Sequence, residues 1–364
     1  MKYLISQSFP NETNETNETN ETVDDLRILE YLRCELNKTK SKIDEHYKEW
    51  RKVKSCIHDY EYVYHSSYRK KNVSRVCPVS RSYFKFREFF YDFDLNIEDI
   101  TNVCNLAEAP GGFIESLVHL SGNKEINFHA NSLLSLDKSI PLWNNKIKGY
   151  KINYLYGSKG TGDICDFLNI ISMIKKVGKS TCELITGDGG FDYSSDYSNQ
   201  EKNSLRLIYS EIFIAINLQR SDGNFICKIF DTFDIETLKL LYLLKLSYER
   251  VYLYKPKTSR NSNSEKYIVC LKFKGYNKEI SNMMCRSFIN LKLNIKLNKK
   301  FYEKILKFIF DYTIKQVKSI NNGISLINNG SMNQYPSKKQ LDFAISWCKK
   351  YDIDVNHRCI HLNN

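Results

Sequence analysis

The sequence predicts an α/β protein, a doubly wound sheet with helical additions at both ends, and three observations lead there. First, the apolar run Ile100 to Val103 precedes Asn105-Leu-Ala-Glu-Ala-Pro-Gly-Gly-Phe113 and then the apolar run Ile114 to Leu120. That order reads as strand, glycine turn, helix. Second, strand-like and helix-like runs alternate from there to a closing strand pair that ends at Phe273, the pattern of a sheet with helices on both faces. Third, the flanking stretches 24–77 and 277–364 carry helical periodicity.

Residues 1–23 read as a disordered tail, because Asn11 to Thr22 repeats Asn-Glu-Thr four times and offers no apolar face. Such a tail is expected to be dispensable for stability. From Asp24, the residues Leu29, Leu32, Leu36, Ile43, Tyr47 and Trp50 recur at helical spacing and predict one long amphipathic helix packed on the main domain. Tyr60 to Arg81 then interleaves Tyr60, Tyr62, Tyr64 and Tyr68 with Arg69, Lys70, Lys71, Arg75 and Arg81. Two readings stay open for it: stacking and phosphate contacts to single-stranded RNA, or a solvated loop.

Beyond the glycine turn, Ile126 to Leu134 predicts a second strand, and Tyr156 to Ile164 a glycine-rich loop leading into a helix. Cys182 to Gly190 holds a strand that ends at Asp188. Helix Leu205 to Leu218, strand Asn224 to Phe230, helix Ile235 to Leu246 and strands Val251 to Tyr254 and Lys266 to Phe273 complete the sheet. Helices Asn298 to Ile320 and Lys338 to Tyr351 form the C-terminal extension.

With 364 residues, 42% of them hydrophobic, the chain can bury one substantial core. Its net charge of +12 favours a polyanionic partner, although a lysine-rich composition bias would give the same sum. The eleven cysteines form no Cys-x-x-Cys pair and have no histidine at ligand spacing, so free thiols in a reducing compartment are expected, with neither disulfides nor zinc. Without a run near the roughly 20 apolar residues of a membrane span, and without a signal-peptide pattern in Met1 to Pro10, the chain is expected to be soluble and intracellular, with no membrane partner.

The glycine turn lets a ligand approach bare backbone and aims the amide end of the next helix at negative charge. Leu106-Ala-Glu-Ala-Pro-Gly-Gly-Phe113 resembles the methionine-end motif of FtsJ-like ribose 2'-O-methyltransferases, which bind S-adenosylmethionine. Thr186-Gly-Asp-Gly-Gly-Phe191 and Lys257-Thr-Ser-Arg-Asn-Ser-Asn-Ser-Glu-Lys-Tyr267 resemble two further motifs of that family, in the same order, and Ser80-Arg-Ser-Tyr-Phe-Lys85 resembles its first lysine segment. The resemblance covers about residues 78–276. Ser259 to Glu265 resembles the messenger-cap branch more than the ribosomal one, the Adrift-type cap subgroup is the most similar over about residues 78–276, and Gln340 to Cys348 resembles the tail of cap-methyltransferase homologues in large cytoplasmic DNA viruses.

This resemblance implies a Rossmann-like methyltransferase sheet, S-adenosyl-L-methionine as cofactor, the capped 5' end of RNA as partner and no metal. It implies a catalytic set of Lys85, Asp188, Lys228 and Glu265: Lys228 is the general base or its proton relay, Asp188 and Lys85 orient and tune it, and Glu265 anchors the set. A lysine inside the strand Phe225-Ile-Cys-Lys-Ile-Phe230 needs such a reason, and Lys85 is expected to keep its pKa low. The cofactor residues implied are Glu108, Pro110, Gly111, Gly112, Phe113 and Asp188, with Asn131 and Leu133 near the ribose and Asp163 near the adenine. Asp163 reads equally as a plain helix cap. The rival functions are a ribosomal or transfer RNA ribose methyltransferase and a non-catalytic RNA-binding subunit on the same fold.

Overall fold

The computed structural model describes residues 2–7, 23–190, 199–333 and 335–362. The Asn-Glu-Thr repeat lies outside them. In chain order, β1 (Lys2–Gln7) comes first, then α1 (Val23–Glu45), α2 (Tyr47–Cys56) and α3 (Ser82–Asp92). The parallel part of the sheet is built next from β2 (Asn102–Leu106), α4 (Gly112–Ser121), β3 (Asn127–Ala130), α5 (Asn145–Lys148), β4 (Ile152–Tyr154), α6 (Phe167–Val177), β5 (Cys182–Gly187), α7 (Gln200–Leu218) and β6 (Gln219–Ile229). After α8 (Ile235–Ser247) the pair β7 (Tyr248–Tyr254) and β8 (Lys266–Phe273) follows, and α9 (Lys278–Ser287), α10 (Lys299–Asn328) and α11 (Lys338–Lys350) complete the order.

The eight strands form one sheet in the order β1-β7-β8-β6-β5-β2-β3-β4. Strands β2 to β6 are parallel to their neighbours, whereas β8 joins β6 antiparallel, β7 joins β8 antiparallel and β1 joins β7 antiparallel. All six residues of central β5 are buried, as a strand covered on both faces requires. One face packs against α1, α6, α7, α8 and α10, and the other against α3 and α4. A third apolar cluster joins residues 62–84 to α11 and its flank, with Trp347 and Tyr351 fully enclosed.

The structure corrects the N-terminal reading. Residues 2–7 belong to the sheet, with Lys2 opposite Tyr254 and Gln7 opposite Arg250. Tyr3 lies 5.5 Å from Phe308 of α10, and Ile5 is buried in the larger core. Six residues gave too short an alternation to stand out beside a polar repeat. The predicted single helix is broken at His46, whose ψ of 29° lies outside the helical range, and the break lets α2 turn against α10. There a side chain at Gly323 would come within 2.6 Å of the Trp50 ring. Strand β4, with three residues, and helix α9 were not predicted, and β3 stops at Ala130, short of the predicted end at Leu134.

Replacing a buried isoleucine by alanine costs about 2–5 kcal/mol. Ile5→Ala is therefore expected to lower unfolding free energy within that range in a urea titration, whereas a dispensable tail would show no change.

Candidate active site

The turn after β2 is built around two close approaches. Gly111 has φ of +109°, and a Cβ there would come within 2.6 Å of the Ile147 side chain on α5. A Cβ at Gly112 would fall on the hydroxyls of Ser80 and Ser82 at the start of α3. Only glycine fits both places, so α3, α4 and α5 converge on this turn. Asp188 donates its backbone N–H to Leu106 O at 3.2 Å, which brings the end of β5 against the same turn.

Glu108 is buried, and its Oε1 accepts from the N–H of Phe113 at 2.7 Å. The amide end of α4, expected to face a ligand, is thus held by the chain's own carboxylate. The other oxygen, Oε2, has no partner among the described residues. Burial, reinforced by the charge of Asp188, pushes the Glu108 carboxyl well above its ordinary value. Pro110 O accepts from Asn144 N at 3.4 Å. The Phe113 ring is core, 5.4 Å from Phe86 and 6.3 Å from Tyr267.

The adenosine-side candidates divide. Asn131 is buried and donates from Nδ2 to Leu155 O at 2.8 Å and Gly162 O at 2.9 Å. Its side chain ties the ends of β3 and β4 to the glycine-rich loop, with both donors committed to backbone. Leu133 is half-buried, and beside it Leu134 N donates to Thr161 O at 2.8 Å. Asp163 Oδ1 accepts from Cys165 N at 2.8 Å, while the N-cap of α6 is Asp166. Asp163 therefore turns the loop ahead of the helix and does not cap it.

The structure brings Lys85, Asp188, Lys228 and Glu265 together. Lys85 Nζ lies 2.7 Å from Glu265 Oε2 and donates to Tyr267 Oη at 3.3 Å. Tyr267 Oη donates to Asp188 Oδ1 at 2.7 Å, and Lys228 Nζ lies 3.3 Å from that same oxygen and 2.6 Å from Asp188 O. Sequence reasoning did not single out Tyr267, which completes this chain of contacts. The signal was present: period-two alternation puts Tyr267 on the side of Glu265, and the antiparallel register sets it opposite Lys228.

Burial lowers the proton affinity of Lys228, but Asp188, Glu265 and Glu211 outweigh it and hold the ammonium above the ordinary lysine value. This reverses the expected low pKa: two carboxylates were weighed from the sequence, and the structure adds a third. For Glu265, burial alone would raise the pKa, but Lys85, Lys228 and Lys255 depress it below the usual carboxylate range.

The loop 255–265 that delivers Glu265 is anchored from several sides. Buried Glu88, one turn beyond Lys85 on α3, accepts from the N–H groups of Lys257 at 2.6 Å and Thr258 at 2.8 Å and from Trp347 Nε1 at 3.1 Å. Lys255 Nζ donates to Glu265 O at 2.6 Å. Arg260 grips Glu61 through Nε at 2.9 Å and Nη2 at 2.7 Å, and Arg81 reaches the same carboxylate at 3.2 Å. Much of the Tyr60 to Arg81 stretch is therefore structural. Tyr62 is buried against His65 and His361, whereas Tyr68, Arg69, Lys70, Lys71 and Arg75 are exposed, Arg75 pairing with Asp354 at the surface.

A glycine turn, a buried unpartnered carboxyl oxygen and a lysine–carboxylate chain at the carboxyl ends of parallel strands define a doubly wound α/β protein with a nucleotide-type crevice. The chain belongs to the FtsJ-like methyltransferase family, whose match covers residues 78–273. It is 29% identical over 273 residues to a cap-specific mRNA (nucleoside-2'-O-)-methyltransferase 2 of Drosophila melanogaster, covering 69% of this chain and 37% of the relative. It is 34% identical over 167 residues to a cap-specific mRNA (nucleoside-2'-O-)-methyltransferase 1 of Trypanosoma cruzi, covering 46% of each. A Caenorhabditis elegans protein with that second name is 32% identical over 191 residues, 51% of this chain and 20% of the relative. The chain thus spans less than half of the length of each of these relatives. Among the described residues no group of histidine, cysteine, aspartate or glutamate could hold a metal, and no helix is long and apolar enough to cross a membrane.

Glu61 is depressed by His65, Arg81 and Arg260 against the effect of burial. A depressed carboxylate contributes stability above its unfolded pKa and loses it as pH falls through the folded value. Glu61→Gln should therefore lower stability at pH 7 by about 3 kcal/mol, the scale of a broken buried ion pair. It should also shrink the loss of stability seen below about pH 4, as measured by urea unfolding across pH.

Proposed function

We propose that the chain is an S-adenosylmethionine-dependent methyltransferase acting on the ribose 2'-hydroxyl of the first transcribed nucleotides of capped mRNA. The observation that carries this reading is the joined set Glu265, Lys85, Tyr267, Asp188 and Lys228 beside the glycine turn. The family and the names of the similar proteins support the substrate. The net charge of +12 and the exposed group Tyr68, Arg69, Lys70 and Lys71 suit a single-stranded polyanion.

The residues present fit the cofactor. Bound S-adenosylmethionine would supply an electrophilic methyl group on a positively charged sulfonium. Glu108, with its unpartnered buried oxygen, offers the acceptor that an amino-acid ammonium needs, and Pro110, Gly111 and Gly112 form the bare backbone around it. Leu133 and Asp163, on loops joined by the Leu134–Thr161 bond, would border the adenosine end. Phe113 and Asn131 would act from behind, one by closing the core under the turn and one by tying the loops.

A ribose hydroxyl is a weak acid and must lose or share its proton as it attacks. In the resting chain Lys228 carries a proton, held by Asp188 from the carboxylate and from the backbone carbonyl. Positive charge placed beside Lys228 lowers its proton affinity, which would ready it to accept the hydroxyl proton. Lys85 and Glu265 fix the far end of the set, and Tyr267 transmits their position to Asp188.

Short capped and uncapped RNAs of one sequence, incubated with labelled methyl donor, test the substrate. Label on the capped RNA alone is expected. Equal labelling would move the reading to a ribosomal or transfer RNA ribose methyltransferase, and none at all, with RNA still bound, to a non-catalytic RNA-binding subunit.

Lys228→Ala should lower single-turnover transfer by roughly 10²- to 10⁴-fold, as expected for a lost general base, with calorimetric cofactor binding little changed. Lys228→Arg should fail nearly as badly, since a guanidinium keeps its proton. If the arginine variant retains most of the rate, Lys228 serves only as a charge that positions the ribose.

A further inference from the structure

Glu211 sits in the middle of α7, fully enclosed, on the face of the sheet opposite Lys228. Its carboxylate lies directly under the turn that carries Asp188. A Cβ at Gly187 would come within 2.7 Å of the Glu211 carboxyl carbon, and one at Gly189 within 2.7 Å of its Oε1. Glycine at both positions gives the carboxylate its room. Gly190, next in the chain, passes so close over Lys228 that a Cβ would stand 3.2 Å from Nζ. The glycines of Thr186-Gly-Asp-Gly-Gly190 thus make space for one acid below the turn and one base above it.

The two groups meet in a single peptide unit. Gly189 N–H donates to Glu211 Oε1 at 3.2 Å, and the carbonyl of that same peptide, Asp188 O, accepts from Lys228 Nζ at 2.6 Å. A carboxylate on the N–H polarises the amide and makes its oxygen a stronger acceptor, so the two bonds reinforce each other. The second oxygen, Oε2, accepts from the Cys227 thiol at 3.2 Å, which fixes the carboxylate to the neighbouring position of β6.

We propose that Glu211 is a positioning residue of the transfer site, acting on Lys228 through the Asp188–Gly189 peptide whose N–H it holds and whose carbonyl holds the lysine ammonium. Its negative charge strengthens the grip of Lys228 on its proton, and its oxygen sets the height of the Asp188 turn. The ionisable groups that face it among the described residues are Asp188 beyond β5, Cys227 and Lys228 on β6 and Cys165 ahead of α6. Burial, opposed by Cys227, Lys228 and the Gly189 bond, pushes the Glu211 carboxyl up to about 7. Its charge therefore appears as pH rises through neutrality, and the proton affinity of Lys228 rises with it.

The inference rests on Lys228 as the residue that manages the ribose proton, but its test needs no methyl transfer. Trace acetylation of the intact chain, read by mass spectrometry, gives the reactivity of Lys228 relative to exposed Lys138. In the wild-type chain this ratio should fall as pH rises through about 7, where Glu211 gains its charge. At one mildly alkaline pH, Glu211→Gln should raise the ratio several-fold, because a neutral amide no longer favours the ammonium. Glu211→Asp, which keeps the charge, should stay near the wild-type value. A ratio that does not respond to pH in the wild-type chain, or that rises equally in both variants, overturns the proposal. Absence of transfer to capped RNA with these responses intact would instead overturn the functional reading alone.

Discussion

Lys228 places an ammonium on a central strand with only 13% of its side chain exposed. Removing such a charge from water costs several kcal/mol unless carboxylates and hydrogen-bond acceptors replace the solvent. Asp188 supplies both, and the negative charges of Glu265 and Glu211 add to it. Each carboxylate comes from a different element: the end of β5, the loop before β8 and α7. Holding them in register is the constraint that the surrounding architecture meets.

The helical additions contribute to it. Lys40 of α1 pairs with Asp231 at 2.8 Å just beyond β6, where Asp231 also accepts from Ser264, the residue before Glu265. Gln316 of α10 donates to Ser264 Oγ at 3.2 Å. On the other side Glu61 holds Arg260, and Trp347 of α11 shares Glu88 with the backbone of residues 257 and 258. The first and last parts of the chain therefore converge on one loop. In sequence they look like separate appendages; in space they are its supports.

The parallel strands and their helices were legible because apolar runs separated by glycine turns carry a strong periodic signal. The four charged site candidates were legible through motif order, and the structure groups them, although it reverses the expected proton affinity of Lys228. Tyr267 and Glu211 were harder. A tyrosine opening a strand and a glutamate in mid-helix are common, and their roles depend on what stands opposite in other elements. The tyrosines from Tyr60 to Tyr64 were left between two readings for a related reason: an aromatic beside a base can stack on a ligand or fill a core, and the structure buries Tyr62. The deciding residue was Glu61, a lone carboxylate able to neutralise Arg81 and Arg260 once buried with them.

The pairing of Lys2 with Tyr254 bears on how the chain acquires its shape. The first strand has no partner until β7 has been synthesised, whereas β2, β3, β4 and β5 can pair as they emerge. Joining segments so distant along the chain carries a loop-closure entropy that local contacts do not. The edge strand is thus expected to dock late, after the parallel half has condensed.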